Sequence, residues 1–256
     1  SMILNIEEDH LDFFKDLDDI RHSFRLFAEN TASDGTIIIN NEIDQLDALL
    51  EGLNRNIVTY GFDPSCTYYP ANITYQQSGF AQFTIMHHKD KVCDVSLNVP
   101  GRHNISNALA AAALALQMNI PADIISKGLE AFCGTDRRFQ IKGTVNGATI
   151  VDDYAHHPTE IKATLNAAAN YPHNRIICVF QPHTYTRTKA FSDEFAHALS
   201  AADLVILADI YAARETDTLG VSSLNILEKL KTFGTECYYF PSFDEIEKFL
   251  LKKIMN

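Results

Sequence analysis

Apolar residues recur along the chain with two different periods, and the way those periods alternate changes near residue 135. Leu17, Ile20, Phe24 and Phe27 fall on one helical face over 17–30. Ser33-Asp34-Gly35 then turns the chain into Thr36-Ile37-Ile38-Ile39, a short strand. Residues 43–50 read as a helix, and Ile57-Val58-Thr59-Tyr60 as another strand. From 67 to 99, alternating runs such as 80–86 and 92–99 follow one another with no helix between them, the pattern of antiparallel hairpins. Pro100-Gly101 opens an alanine-rich helix over about 104–118, and Pro121 suits the first position of a second helix over 121–132. Cys133-Gly134-Thr135 ends it. At the start, Ile3, Leu4 and Ile6 read as the end of a buried strand with almost nothing before it, so a longer parent protein is expected.

Beyond 135 strands and helices alternate. Strands are predicted near 139–145, 148–153, 175–180, 203–208 and 236–240, and helices near 158–170, 189–200, 222–233 and 243–253. Such alternation implies parallel βαβ units with helices on both faces, where ligands gather at the carboxyl ends of strands. Two polar segments fall at strand ends, 152–158 and 181–189. The predicted fold is α/β. Residues 1–134 form a central α/β domain with antiparallel strands, and residues 135–256 a Rossmann-like, mostly parallel sheet domain.

Composition narrows the function classes. A hydrophobic fraction of 46% supplies a full core, while a net charge of -12 argues against neutralising nucleic-acid phosphates. The five cysteines form no CxxC pair, so neither a disulfide framework nor a zinc knuckle is expected. No apolar run approaches a membrane span, and no signal-peptide pattern begins the chain. Expected partners are small molecules, with no nucleic acid and no membrane; the pattern is silent on oligomeric state.

Five segments could carry chemistry. Asn5-Ile6-Glu7-Glu8-Asp9-His10-Leu11-Asp12 follows a strand end and suits a divalent cation; it equally fits an acidic loop capping the next helix. Gly101-Arg102-His103-Asn104-Ile105-Ser106-Asn107 opens a helix, with His103 and Asn107 on one face; amides there suit a purine edge or plain capping. Asp136-Arg137-Arg138-Phe139 offers planar cations for phosphate, or a solvated linker. Asp152-Asp153-Tyr154-Ala155-His156-His157-Pro158 is too dense in functional groups for an ordinary turn, and a substrate-contacting loop fits it better than a metal site. Gln181-Pro182-His183-Thr184-Tyr185-Thr186-Arg187-Thr188-Lys189 suits a carboxylate or phosphate. Residues 208–215 follow a strand too, and line the same cleft or serve structure alone. His87-His88 reads as a solvated hairpin tip.

In this order the segments resemble the Mur ligases, which build the peptide of bacterial peptidoglycan. The carriers are Asn-x-x-x-Asp-His-x-Asp from Asn5, Gly-x-His-Asn-x-x-Asn-x-x-Ala-Ala from Gly101, and Asp153-Tyr154-Ala155-His156. The resemblance covers essentially the whole chain. It implies a cytoplasmic bacterial carbon–nitrogen ligase using ATP and Mg²⁺, in which a carboxylate becomes an acyl phosphate and an amine displaces phosphate. Residues 1–134 then correspond to the remainder of the central ATP-binding domain and 135–256 to the C-terminal domain. The 152–158 and 181–188 segments together are similar to the member whose substrates are UDP-N-acetylmuramate and L-alanine. Carried over, His10 is the implied Mg²⁺ ligand. His103 and Asn107, with Asn104 nearby, are implied adenine contacts. Arg138 and Asp153 are implied to serve the nucleotide phosphates and ribose. Tyr154, His156 and Arg187 are the implied catalytic residues near the alanine and the muramoyl carboxylate.

The chain departs from the family pattern in places. It contains no Gly-Lys followed by Ser or Thr, the family's phosphate loop, which is expected upstream. By itself the chain is therefore expected to show no ligase turnover. Arg25 occupies the neighbourhood where some relatives carry a carbamylated lysine, so no carbamate is expected. Thr184 stands where some members have arginine, which leaves Arg187 more of the carboxylate role. Two alternatives remain open. One is the murein-peptide ligase of the same family. The other is a metal-dependent hydrolase using Asp9, His10, Asp152, Asp153, His156 and His157.

Overall fold

The computed structural model describes residues 1–11, 13–76, 79–216 and 219–254. The chain forms two compact units, Ser1–Cys133 and Gly134–Asn256. In the first unit, six strands lie in the order β1 (Met2–Ile3), β2 (Thr36–Asn40), β3 (Asn56–Tyr60), β4 (Tyr68–Tyr75), β5 (Phe80–His87) and β6 (Asp90–Pro100). β1 to β4 pair parallel, and β4–β5–β6 run antiparallel as the alternating runs predict. Helices α1 (Leu17–Glu29) and α2 (Leu46–Leu50) precede and follow β2; α3 (Arg102–Gln117) and α4 (Ala122–Ala131) come last.

The run Ile37-Ile38-Ile39 shows why the sheet is covered on both faces. Ile37 and Ile39 join the cluster with Ala28 of α1 and Leu49 of α2, while Ile38 points into the cluster with Ile105 and Leu109 of α3. Side chains two apart share a face, so a strand apolar at every position is buried on both. Helix α2 starts at Leu46, not Ile43. Gln45 adopts φ 57, a left-handed turn that breaks the helix, and Ile43 is core at 6% exposure. At the β5–β6 tip His87 stacks on Tyr68 at 4.9 Å, and His88 takes φ 51 to make the turn.

The second unit contains β7 (Gln140–Val145), β8 (Ala148–Asp152), α5 (Pro158–Ala169), β9 (Ile177–Phe180), α6 (Tyr185–Ala190), α7 (Ser192–Leu199), β10 (Leu204–Leu207), α8 (Ser223–Thr232), β11 (Glu236–Tyr239) and α9 (Phe243–Ile254). Among the described residues its parallel sheet holds three strands, β11–β10–β9, and not the five expected. β7 and β8 pair with each other as an antiparallel hairpin. The reason is Asn146-Gly147, with φ 49 and 83: two left-handed residues make the tight turn whose twist matches a hairpin. One long helix was expected over 189–200; two shorter ones form instead, hinged at Phe191 (φ -115). β10 repeats the two-faced logic. Val205 and Leu207 pack with α5, α7 and α8, and Leu204 and Ile206 pack with Ile246 of α9. Among the described residues, no helix is long and apolar enough to cross a membrane.

Candidate functional site

In the second unit, the loop between β8 and α5 is organised by two carboxylates. Asp153 accepts from the Phe139 N–H and the Ala155 N–H, both at 2.8 Å, so it ties the start of β7 to the loop. Glu160, in the first turn of α5, accepts from the His156 N–H at 3.0 Å and the His157 N–H at 3.3 Å, and from Arg138 Nη1 at 3.4 Å. His157 itself caps the helix: its Nδ1 accepts from the Thr159 N–H, and its buried ring packs on Phe191 at 4.9 Å.

His156 Nδ1 lies 2.9 Å from the Tyr154 carbonyl and 3.3 Å from Glu160 Oε2. Both neighbours only accept, so Nδ1 carries a proton. His183 has the opposite pattern. Arg187 Nη1 is 3.1 Å from His183 Nδ1, and a guanidinium only donates, so that nitrogen accepts.

The rings form a row. Tyr154 and His156 centroids are 5.3 Å apart, His156 and His183 5.9 Å, and His183 and Tyr211 5.6 Å. Arg137 lies over Tyr154 at 4.5 Å, a cation–π contact at one end of the row. His183 and Tyr211 stand where the chain leaves β9 and β10, the carboxyl ends at which parallel sheets gather ligands, and Tyr154 and His156 come from the loop after the β7–β8 hairpin. A bridge joins His183 to Tyr211, with Thr184 N–H donating to the Tyr211 carbonyl at 2.9 Å. Three of the predicted residues, Tyr154, His156 and Arg187, are thus brought together around His183. Asp153 points its oxygens into backbone N–H groups, and Arg138 sits beside Glu160.

Burial alone would raise the Glu160 carboxyl. The His156 N–H and ring, the His157 N–H and Arg138 outweigh it and hold the group below the ordinary glutamate range. A depressed carboxyl stabilises the fold above its ordinary value and loses that contribution as pH falls through the folded value. Glu160→Gln is therefore expected to lower the melting temperature at pH 7, with the gap to the parent closing below about pH 4.5. Thermal unfolding from pH 3 to 7 checks this; a constant gap would count against it.

The first unit holds the other predicted residues. His10 adopts φ 53, its carbonyl accepts from the Phe13 and Phe14 N–H groups at 2.8 and 2.9 Å, and its side chain is 70% exposed. Asp9 Oδ2 lies 3.8 Å from His10 Nε2. Asp12 lies outside the described residues. Among the described residues no three His, Cys, Asp or Glu side chains are grouped to hold a metal. The hydrolase reading needs three convergent protein ligands. Asp152, needed by the hydrolase reading, instead faces Arg137 at 3.9 Å.

Gly101, at φ 99, turns the chain into α3. Asn104 donates to the Pro100 carbonyl at 2.7 Å and accepts from Asn107 Nδ2 at 3.3 Å. Its amide is largely committed inside the protein, so it supports the helix entrance, whereas His103 and Asn107 are exposed one turn apart. Arg102 covers the Phe62 ring at 3.8 Å and reaches Glu42 at 3.8 Å. Nearby, burial and the Glu42 charge push the Tyr60 phenol up to about 12, partly offset by a hydrogen bond with Ser106. Arg25, where a carbamate was not expected, donates to the Leu49 and Glu51 carbonyls and to Glu29, closing the end of α2.

Reasoning from sequence placed Arg137, Glu160, His183, Tyr211 and Glu215 inside candidate segments but gave Glu160, His183, Tyr211 and Glu215 no role of their own. Glu160 carried a signal, standing three residues after the capping His157. Tyr211 and Glu215 carried only their position after a predicted strand.

A model of the Mur ligase middle domain matches residues 1–115, and one of the Mur ligase glutamate ligase domain matches 137–255. The UDP-N-acetylmuramate–L-alanine ligase of Agathobacter rectalis is 57% identical over 256 residues, covering 100% of this chain and 56% of that protein. The chain thus spans about half the length of the curated relatives it matches. Among solved structures, the UDP-N-acetylmuramate–alanine ligase of Thermotoga maritima is similar at a TM-score of 0.75 and 28% identity, over 96% of this chain and 52% of that one. A murein peptide ligase from Psychrobacter arcticus is similar at a TM-score of 0.66 and 25% identity, over 97% of this chain and 51% of that one.

Proposed function

The chain belongs to the Mur ligase family, and from that premise we propose that the protein is an ATP-dependent ligase joining L-alanine to UDP-N-acetylmuramate in the bacterial cytoplasm. The observation that carries the reading is the row of Tyr154, His156 and His183 with the Arg187 guanidinium against it. Carboxylate activation builds negative charge, and the attacking amine must lose a proton. A guanidinium answers the first need, and the His156 ring, held through Nδ1 by the Tyr154 carbonyl, offers its Nε2 for the second. Curated relatives 57% and 52% identical over the whole of this chain are alanine-adding ligases, which supports that reading over the murein peptide ligase.

In the first unit, His10 with Asp9 beside it offers a Mg²⁺ ligand, and His103 and Asn107 offer donors and acceptors for an adenine edge. Bound Mg²⁺ would neutralise the charge of transferring phosphate. In the second unit, Arg138 offers a cation to phosphate, while Asp153 holds the loop in shape. The carboxylate role falls to Arg187, and Tyr154 and His156 face the amino-acid side.

The test is ADP release by the protein expressed from its whole reading frame, with ATP, Mg²⁺, UDP-N-acetylmuramate and each amine in turn. Release is expected with L-alanine. Release with a murein tripeptide and not with L-alanine would transfer the assignment to the peptide ligase. No release with either would sink both.

A further inference from the structure

Arg187 sits on a helix that cannot hold itself. α6 has only six residues, and isolated helices that short are unstable in water. Thr184, its first flanking residue, caps it only through a long contact, its hydroxyl accepting from the Arg187 N–H at 3.4 Å, and has φ 65, a conformation that non-glycine residues keep only when their surroundings determine it. The determining contacts come from the loop after β10. Glu215 accepts from the Tyr185 N–H at 2.6 Å, from the Thr186 N–H at 3.0 Å and from the Thr186 hydroxyl. The same loop pairs Tyr211 with the 182–184 backbone on both sides, Tyr211 N–H to the Pro182 carbonyl at 2.8 Å and Thr184 N–H to the Tyr211 carbonyl at 2.9 Å.

We infer that Glu215 is a positioning residue: it clamps the first turn of α6 and so sets where Arg187 presents its side chain. The inference deepens the ligase reading and rests on it for its catalytic consequence. A carboxylate suits the place, because the first N–H groups of a helix have no partner within it and favour negative charge. Burial would raise the Glu215 carboxyl, but the Thr186 hydroxyl and the Thr186 and Tyr185 N–H groups outweigh it and keep it below the ordinary range. Glutamine at 215 would keep the shape but offer one acceptor oxygen in place of two and no charge. Aspartate would keep the carboxylate on a shorter arm.

The experiment measures ADP release and amide exchange in the protein from its whole reading frame, for Glu215→Gln, Glu215→Asp, Arg187→Ala and the Glu215→Gln/Arg187→Ala pair. Glu215→Gln is expected to lower kcat by about 10-fold or more with KM for ATP unchanged, and Glu215→Asp by less. Because Glu215 acts through Arg187, the pair should be no slower than Arg187→Ala alone. Losses that multiply in the pair, or a Glu215→Gln rate within about twofold of the parent, would overturn the inference. If the parent shows no ligase turnover, the ligase reading fails on its own and exchange decides the clamp. Tyr185, Thr186 and Arg187 amides exchanging about 10-fold faster in Glu215→Gln, with Val205 and Ile206 unchanged, would support it. Unchanged exchange along α6 would overturn it.

Discussion

Arg187→Ala is expected to lower kcat/KM for ligase turnover by about 10² to 10³, the usual cost of removing one donor aimed at developing charge. The guanidinium is a strong candidate for that role. It lies on the carboxyl-end surface of the parallel sheet, half-buried, with one nitrogen 3.1 Å from His183 Nδ1. The fold should survive the change, since alanine is a better helix former than arginine and Arg187 belongs to none of the buried clusters. Arg187→Lys should recover part of the loss only. Lysine restores the charge but not the planar fork, and cannot both brace His183 and hold a carboxylate in two-point contact. Steady-state ADP release gives the ratio. A loss under about fivefold in Arg187→Ala, with the protein folded, would remove Arg187 from the chemistry.

Much of this surface was legible in the sequence, and the part that was not has a physical cause. Ile37-Ile38-Ile39 was legible as a short strand, and the structure adds that both of its faces are covered, as an apolar residue at every position allows. The loops 152–158 and 181–188 stood out in the sequence because functional groups were dense at predicted strand ends, and the structure brings their His156, His183 and Arg187 side chains together. Asn146-Gly147 was a turn signal for a hairpin, yet strand–helix alternation suggested parallel pairing and overrode it. Residue type alone could not separate a carboxylate that meets ligand from one that meets backbone. Asp153 stood in the family's motif and spends both oxygens on N–H groups, whereas Glu215, unremarkable in sequence, braces the helix that carries Arg187. The two outcomes depend on contacts across 14 and 30 residues, Phe139 to Asp153 and Tyr185 to Glu215, which no local pattern encodes.

Phe195→Ala is expected to destabilise the second unit by about 3–5 kcal/mol, because a fully buried aromatic leaves a cavity that its neighbours only partly fill. Phe195 is 0% exposed, and its ring is 5.3 Å from that of Phe180, the last residue of β9. Around it lie Ile161 and Leu165 of α5, Val205 and Leu207 of β10, and Ile226 of α8. The site feels this directly. Phe191, in the same cluster, supports the ring of His157, and His157 caps the helix whose first turn carries Glu160. Set against the roughly 5–15 kcal/mol of a typical domain, the loss amounts to a melting-point drop of about 10–20 °C. Phe195→Leu keeps most of the volume and should cost about 1–2 kcal/mol. The clusters of the first unit share no residue with this one, so the damage should be local. Hydrogen exchange resolves it: amides of β9 and β10 should lose protection while those of β2 and β3 keep theirs. Equal losses in both sheets would show that the two cores do not open separately, and a destabilisation below about 2 kcal/mol would mean that the ring is not the keystone its burial implies.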